Sequence, residues 1–360
     1  MFRYIRPALN KAFRPSANKC CKRSQTTLKH CFGLHDKPNS IAIVSNVNEI
    51  HFNLAVEDYL MNVLRPPCPL FFWWRNASNV VIGRHQNPWS ECRWELMQQD
   101  GVDIARRFSG GGAVYQDLGN SCFTLLLPEK MYDSEKNNNI ILNVLKHYFN
   151  IHGEASGRND MVVNNKKISG SAFKQLRKVG EPNLSLQHGT LLIDTDMKAV
   201  EKYLTPNSKK LQSKGVSSVS SRVMNLKELN PNISHETLQE PLIEEFCKQY
   251  SSNEACLTFS VDKESEITKD PNFVSTYNQL KDWNWRFGKT PEFSHTLQDR
   301  LSQATVELHL NIVNGQISNV KLYTDSLFPE VVPLVEDALK ANTNVKQEID
   351  DIKHMILDRL

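Results

Sequence analysis

The apolar residues of this chain fall into two rhythms, and each rhythm predicts a type of element. Dense short runs at 40–44, 70–74 and 79–83 have strand length. Residues 121–127 read as a central strand ended by Pro128. Between these lie stretches of helical spacing. Residues 53–61 read as a capped helix with acids in its early turns, stopped by Pro66 and Pro67, and residues 89–99 as a helix ended by Gly101. The stripe Ile140, Ile141, Val144, Leu145, Tyr148 and Phe149 predicts a helix with one face in the core. Short strands follow at 160–163 and 167–169 about the polar turn Asn164-Asn165, with a further strand at 189–193. Residues 234–250 look helical, with Pro241 near the start or at a kink.

The pattern changes near the C-terminus. After a polar stretch at 262–271, Val306, Leu308, Leu310 and Ile312 alternate strictly, Asn314-Gly315 follows, and Ile317, Val320 and Leu322 continue. Asn-Gly between alternating runs is a hairpin signal. Helices at 329–341 and 345–359 complete the picture. The division is therefore a leader at 1–30, a main domain at 36–255 and a small α/β domain at 256–360. The stretch 205–221, rich in Lys, Ser, Gly and Pro, is either a mobile functional loop or a disordered insert.

Charge sharpens this division. Residues 1–35 hold eight Lys or Arg and no acid, which leaves 35 basic against 40 acidic residues in the rest. The basic excess thus belongs to the leader, and nucleic acid is not an expected partner. An Arg- and Lys-rich, acid-free leader without a long apolar core fits a presequence directed to the mitochondrial matrix; a basic tail is the other reading. No apolar run is long enough for a membrane span, so no membrane is expected. The eight cysteines show no C-x-x-C and no clustering with His, which argues for thiols over zinc or disulfides.

Candidate chemistry centres on Arg106-Arg107-Phe108-Ser109-Gly110-Gly111-Gly112-Ala113-Val114-Tyr115. Consecutive glycines allow backbone N–H groups to approach an anion, and the arginines bring charge of the right sign. The run lacks the spacing of a P-loop or a dinucleotide fingerprint, and a flexible turn between helix and strand remains open. If 160–163 and 167–169 pair as a hairpin, Asp160 and Lys167 are neighbours. They then form either a pair for metal and oxyanion or an ordinary cross-strand ion pair. His85, His152 and His188 read as structural. Ser109 and Ser171 lack the G-x-S-x-G setting of a catalytic serine.

Taken in order, A-R-R-x-S-G-G-G-A-V-Y-x-D-x-G-N, G-R-N-D-x-V-V, K-I-S-G-S-A and H-G-T-L-L resemble the lipoate–protein ligase and lipoyltransferase family. The likeness extends through Trp285-Arg286-Phe287-Gly288-Lys289-Thr290-Pro291. Residues 71–89 resemble the animal mitochondrial lipoyltransferase branch. The family implies an α/β (α+β) fold: a biotin/lipoate protein ligase-like catalytic domain of mixed sheets and helices, plus the small C-terminal domain. It implies that Lys167 is catalytic, contacting the lipoyl carbonyl and adenylate phosphate. It implies that Ser109, Gly110, Gly111, Gly112, Ala113 and Val114 bind lipoyl-AMP, with Arg107 and Tyr115 beside it. Arg158, Asn159, Asp160, Thr190, Lys214 and Arg222 join that pocket by the same likeness.

The chemistry implied is lipoyl transfer from lipoyl-AMP or a lipoylated donor protein to a lysine. Acceptors would be lipoyl domains of 2-oxoacid dehydrogenase E2 subunits and glycine cleavage H protein. A complete ligase would also use lipoate, ATP and Mg2+ held by Asp160. Bacterial-type ligases usually carry Arg where Phe108 stands and a basic residue where Ser220 stands; both differences remove charge from the triphosphate path. A non-catalytic binder of lipoyl-AMP or lipoyl domains is the alternative from another class, and biotin or octanoyl transfer a more distant one.

Overall fold

The computed structural model describes residues 39–157, 159–177, 179, 183–205, 223–251, 256–300, 305–314, 316–324, 332–333 and 336. Its strands in chain order are β1 (Ile41–Ser45), β2 (Leu70–Arg75), β3 (Asn79–Ile82), β4 (Asp103–Arg106), β5 (Val114–Gln116), β6 (Asn120–Pro128) and β7 (Glu154–Ser156). Then come β8 (Asp160–Val163), β9 (Lys166–Leu176), β10 (Leu184–Leu192), β11 (Leu257–Val261), β12 (Phe293–Arg300), β13 (Thr305–Val313) and β14 (Gln316–Thr324). The helices are α1 (Ile50–Tyr59), α2 (Pro88–Glu91), α3 (Trp94–Gln99), α4 (Ser134–Phe149), α5 (Met197–Tyr203), α6 (His235–Tyr250) and α7 (Pro271–Lys281).

Eight strands form one mixed sheet in the order β11-β1-β2-β6-β10-β9-β8-β7. One face, carrying Phe71, Trp73, Phe123, Leu125 and Leu191, packs under α4 and α6. The opposite face, carrying Leu70, Phe72, Trp74, Cys122 and Leu126, packs against α1, α7 and the small sheet β4-β3-β5. With both faces covered, central strands become continuous apolar runs, which is why Leu70–Arg75 and Asn120–Pro128 show little alternation. The small sheet is itself sandwiched. Val81, Ala105 and Val114 turn to the large sheet, while Val80, Ile82, Ile104 and Tyr115 turn to α3 and α5.

The strand expectations hold in position, and several boundaries move. Asn53 is not a cap: the helix starts at Ile50, and Asn53 is buried, donating to the carbonyls of Val47 and Arg75 and to Asn76 Oδ1. The single helix expected at 89–99 is two, because Cys92 leaves the helix to form an isolated bridge with Leu204. Pro241 lies inside α6, which is capped by Ser234. The division expected after 255 also shifts. β11 completes the large sheet beside β1, and α7 packs on α1 through Phe52 and Phe273, so this part of the chain stays with the main body. The small sheet β12-β13-β14 begins only at Phe293. The helices expected at 329–341 and 345–359 fall almost wholly outside the described residues.

The C-terminal hairpin carries one refinement. Buried Leu308, Leu310 and Ile312 match the strict alternation, but the partner strand buries Ile317 and then Val320. That change of parity needs an extra residue, and the register shift beside Asn311/Ile312 supplies it at Ser318. Among the described residues Cys68, Cys92 and Cys122 are buried free thiols, and no helix is long and apolar enough to cross a membrane.

His235 ties α6 to the sheet. Its ring stacks on Trp73 at 4.7 Å, and its Nδ1 lies 2.7 Å from the Ser121 hydroxyl. Burial, helped by Arg75, pulls its pKa down to about 4 from an ordinary 6.5. The neutral ring is the folded form, so this contribution is present above pH 6.5 and disappears as pH falls from 6.5 towards 4. His235→Gln should therefore remove about 3 kcal/mol from the acid-induced loss of stability. Urea unfolding midpoints of both proteins at several pH values across that window would measure it.

Candidate active site

A single extra residue decides where the central lysine points. In the β8–β9 hairpin Asp160 pairs with Gly170 and Met161 with Ser169, but Val162 pairs with Lys167 and Val163 with Lys166. Ile168 is the residue left over, and Asn164 and Asn165, both at positive φ, close the hairpin. Strict alternation would put Lys167 opposite Val163, on the face that packs under α4 and α6. The bulge turns it to the face of Asp160 and Gly170. There Lys167 Nζ lies 2.8 Å from Asp160 Oδ1. A Cβ at position 170 would stand 2.6 Å from that Nζ, so the glycine is what lets the lysine lie across the strand. Thr190 pairs with Gly170 and joins the same face.

The glycine run crosses this face as the connection from β4 to β5, and two buried arginines shape it. Arg107 donates to the carbonyls of Val81, Gly110 and Gly112 and, through Nε, to Ser109 Oγ at 3.1 Å. Gly111 sits at φ 100°, and a Cβ there would come within 2.7 Å of Arg107 Nη2. Arg106 turns to the other side. It donates to the carbonyls of Gly83, Arg84, Gln86, Trp285 and Arg286 and to Thr290 Oγ1. Burial pulls both guanidinium pKa values down to about 10, so both remain charged at neutral pH. The indole N–H of Trp285 returns a hydrogen bond to the Arg106 carbonyl at 2.7 Å, and Phe108 packs on the Trp285 ring at 4.7 Å.

Below the loop lies a buried polar relay. Ser109 Oγ is 2.8 Å from His188 Nε2, and His188 Nδ1 is 2.8 Å from Glu57 Oε2. The Thr124 hydroxyl donates to the same carboxylate at 2.7 Å, and the Trp74 indole N–H donates to Thr124. Burial would push the Glu57 carboxyl up, but the facing His188 and the hydrogen bonds win and hold it below its ordinary value. It is an anion inside the fold. His188 shares its face with Thr190, two residues away on β10.

The expected site residues divide into three groups. Lys167, Asp160, Thr190 and the run Ser109–Val114 are gathered on or over one face of the large sheet, with Asn159 at its edge donating to the Ser171 carbonyl. Two sit differently from expectation. Arg107 spends its donors on the loop's own carbonyls and so acts as a brace. Tyr115 points to the far side of β5, where it packs on Tyr203 and donates to Ser78. Strand alternation from Val114 signals that direction. Arg158, Lys214 and Arg222 lie outside the described residues. Glu57 was not singled out as a site residue, and Arg106, at the head of the candidate run, turns away from the loop to brace the turn around Trp285. A carboxylate within the apolar stretch of α1 was the available signal for Glu57.

Residues 49–247 match the lipoyl protein ligase A/B catalytic domain, and residues 290–358 match the bacterial lipoate protein ligase C-terminus. The chain is 44% identical over 311 residues to a lipoate-protein ligase A of Psychrobacter cryohalolentis, covering 86% of this chain and 89% of that protein. Its fold is similar to P. falciparum LipL1, solved in complex with lipoate, with a TM-score of 0.61 and 39% identity over 83% of this chain and 88% of the other. It also shares the fold of lipoate-protein ligase A bound with ATP, at a TM-score of 0.54 and 21% identity over 68% of this chain and 95% of that one. A bi-partite lipoate protein ligase of Thermoplasma acidophilum, studied with its E2 lipoyl domain, has a TM-score of 0.59 and 22% identity, over 71% of this chain and 98% of the other. The glycine loop, the bulged lysine strand and the His188-Gly189-Thr190 strand thus sit in a chain that belongs to the lipoate–protein ligase family.

Proposed function

We propose that this protein is a mitochondrial lipoyltransferase, moving a lipoyl group onto a specific lysine of lipoyl domains. The donor would be lipoyl-AMP or a lipoylated protein. The acceptors would be E2 subunits of 2-oxoacid dehydrogenases, with glycine cleavage H protein as a further one. The observation that carries this reading is the Lys167–Asp160 pair, turned by the Ile168 bulge to the face beneath the glycine loop. The mitochondrial assignment rests on the composition of residues 1–35.

The chemistry follows from charge. A carboxylate resists acyl transfer, so lipoate arrives already activated or already in an amide. The exposed residues Gly110–Gly112 would offer backbone N–H groups, beside the Lys167 ammonium, to an acyl phosphate. As the acceptor's neutral ε-amine attacks, they offset the negative charge that builds on the carbonyl oxygen and leaving phosphate. Asp160, paired with Lys167, keeps the ammonium aimed across Gly170. Thr190 would stand on the nucleotide side, with Arg158, Lys214 and Arg222 as further contacts.

Phe108 favours transfer over activation. Where bacterial-type ligases usually have Arg, its ring is half-buried between Trp285 and the Lys174 ammonium, which lies 5.2 Å from the ring centroid. An apolar ring there brings no charge to a triphosphate. Should ATP be used, Asp160 is the carboxylate on this face for Mg2+, which needs only one or two protein carboxylates beside phosphate oxygens.

Three outcomes are expected. With an apo lipoyl domain, lipoyl-AMP or a lipoylated donor should support modification, while lipoate with Mg-ATP should not; efficient modification from ATP would make the protein a complete ligase. Lys167→Ala should lower transfer from lipoyl-AMP by ~10²–10³-fold while the melting temperature stays near that of the wild type. Transfer at the wild-type rate would show that Lys167 is not the catalytic residue. Gly170→Ala should fold, because its clash is with the end of a flexible side chain, yet lose on the order of 10²-fold in rate through the displaced Lys167.

A further inference from the structure

The acceptor's lysine must reach a face that the glycine loop covers, and the ladder beside that face is incomplete. Strand β9 runs eleven residues, whereas its neighbour β8 has four and pairs with it only as far as Gly170. One step further Asn159 ends the pairing. The Ser171 N–H donates to the Asn159 carbonyl at 2.7 Å, and Asn159 Nδ2 donates to the Ser171 carbonyl at 3.1 Å. From Ala172 to Leu176 the strand pairs with β10 on one side, and among the described residues no strand pairs with it on the other.

Backbone directions alternate along an antiparallel ladder. Because Ser171 turns its N–H and C=O towards Asn159, Phe173 and Gln175 turn theirs to that same side, which is open. Both residues are exposed, Phe173 at 38%. Side chains alternate as well. Ala172 faces the glycine loop, since a Cβ at Gly111 would stand 3.7 Å from its methyl, and Lys174 follows on that face with its ammonium 3.7 Å from Asp58. Phe173 lies on the reverse face, edge-on to Tyr132. An open edge of this kind is a template for a further strand.

We propose that this edge of β9 pairs with an extended segment of the acceptor lipoyl domain and so delivers its lysine to Lys167. The proposal rests on the lipoyl-transfer reading of the site. Reach is the argument for this occupant. A strand added antiparallel lies ~4.8 Å from β9, and each same-face step along it is ~7 Å. A residue opposite Ala172 is then ~8 Å from the place over Gly170 where Lys167 Nζ lies, a gap that one extended lysine side chain largely spans. The next position on that face, opposite Lys174, is ~14 Å away and too far. The register is thereby set, with the acceptor lysine across from Ala172. Its neighbour in sequence stands across from Phe173 on the reverse face, where an apolar or β-branched side chain packs best. Main-chain bonds to Phe173 and Gln175 supply affinity, and the Phe173 contact selects which lysine is modified.

Two measurements test this. Hydrogen exchange of the full-length protein, read by mass spectrometry, is followed with and without apo lipoyl domain, no donor being present. The Phe173 and Gln175 amides should exchange ~10-fold more slowly when bound protein outnumbers free by about ten to one. Gln175→Pro removes an N–H donor on the open side and none that bonds β10. It should raise KM for the apo lipoyl domain by ~10-fold and leave kcat and the affinity for lipoyl-AMP near those of the wild type. Phe173→Ser should raise the same KM. Protection that falls elsewhere, with both variants at the wild-type KM, overturns the proposal and leaves the transfer reading standing. Slow exchange of these amides without lipoyl domain, growing with protein concentration, would make a second copy of this chain the occupant and overturn it too. A folded protein that transfers from no donor to any apo lipoyl domain overturns the transfer reading and the proposal with it.

Discussion

A strand can present a side chain to only one of two faces, and every catalytic expectation for this protein depends on which face Lys167 takes. Ile168, the unpaired residue of the β8–β9 hairpin, settles it. Without that residue the lysine would project into the apolar layer under α4 and α6, where an unpaired ammonium would be costly. With it, lysine, aspartate and the threonine of β10 share a surface, and the glycine loop has something to close over. The bulge costs a ladder position, and the long pairing of β9 with β10, from Leu176 to Ser169, holds the strand while it is spent.

The scaffold behind this arrangement is two-sided burial. Because α4 and α6 cover one face of the large sheet while α1 and the small sheet cover the other, the central strands are fixed by apolar contacts on both sides. Polar groups that enter such a space must bring partners. Glu57 meets this demand with Thr124 and His188, and Arg106 with five carbonyls and a hydroxyl. A dense polar network within an apolar layer is thus the mark of the site in this fold.

Much of this was legible in the amino-acid order, for reasons that can be stated. Local rules were enough for the Asn164-Asn165 turn, for the turn at Asn314, for the helical stripe of α4 and for the pairing of Asp160 with the lysine strand. Non-local partners were not. Nothing near Leu257–Val261 announces that this strand lies beside Ile41–Ser45. The direction of Arg107 followed from the curl of the loop around it, and that of Tyr115 from a three-residue strand too short to show a period. The partners of His188, Glu57 and Ser109, are 131 and 79 residues away, beyond the reach of any local pattern.

Arg106 is a buried cation whose acceptors are backbone carbonyls and one hydroxyl, and carbonyls do not titrate. An ion pair in the same place would loosen whenever its acid took up a proton or salt screened it. The link between the glycine loop and the turn around Trp285 therefore does not loosen as pH falls, and depends on acidity only where the guanidinium itself, pulled down to about 10, loses its proton. Nor does it claim a carboxylate, which leaves Asp160 and Glu57 free to face the lysine and the imidazole.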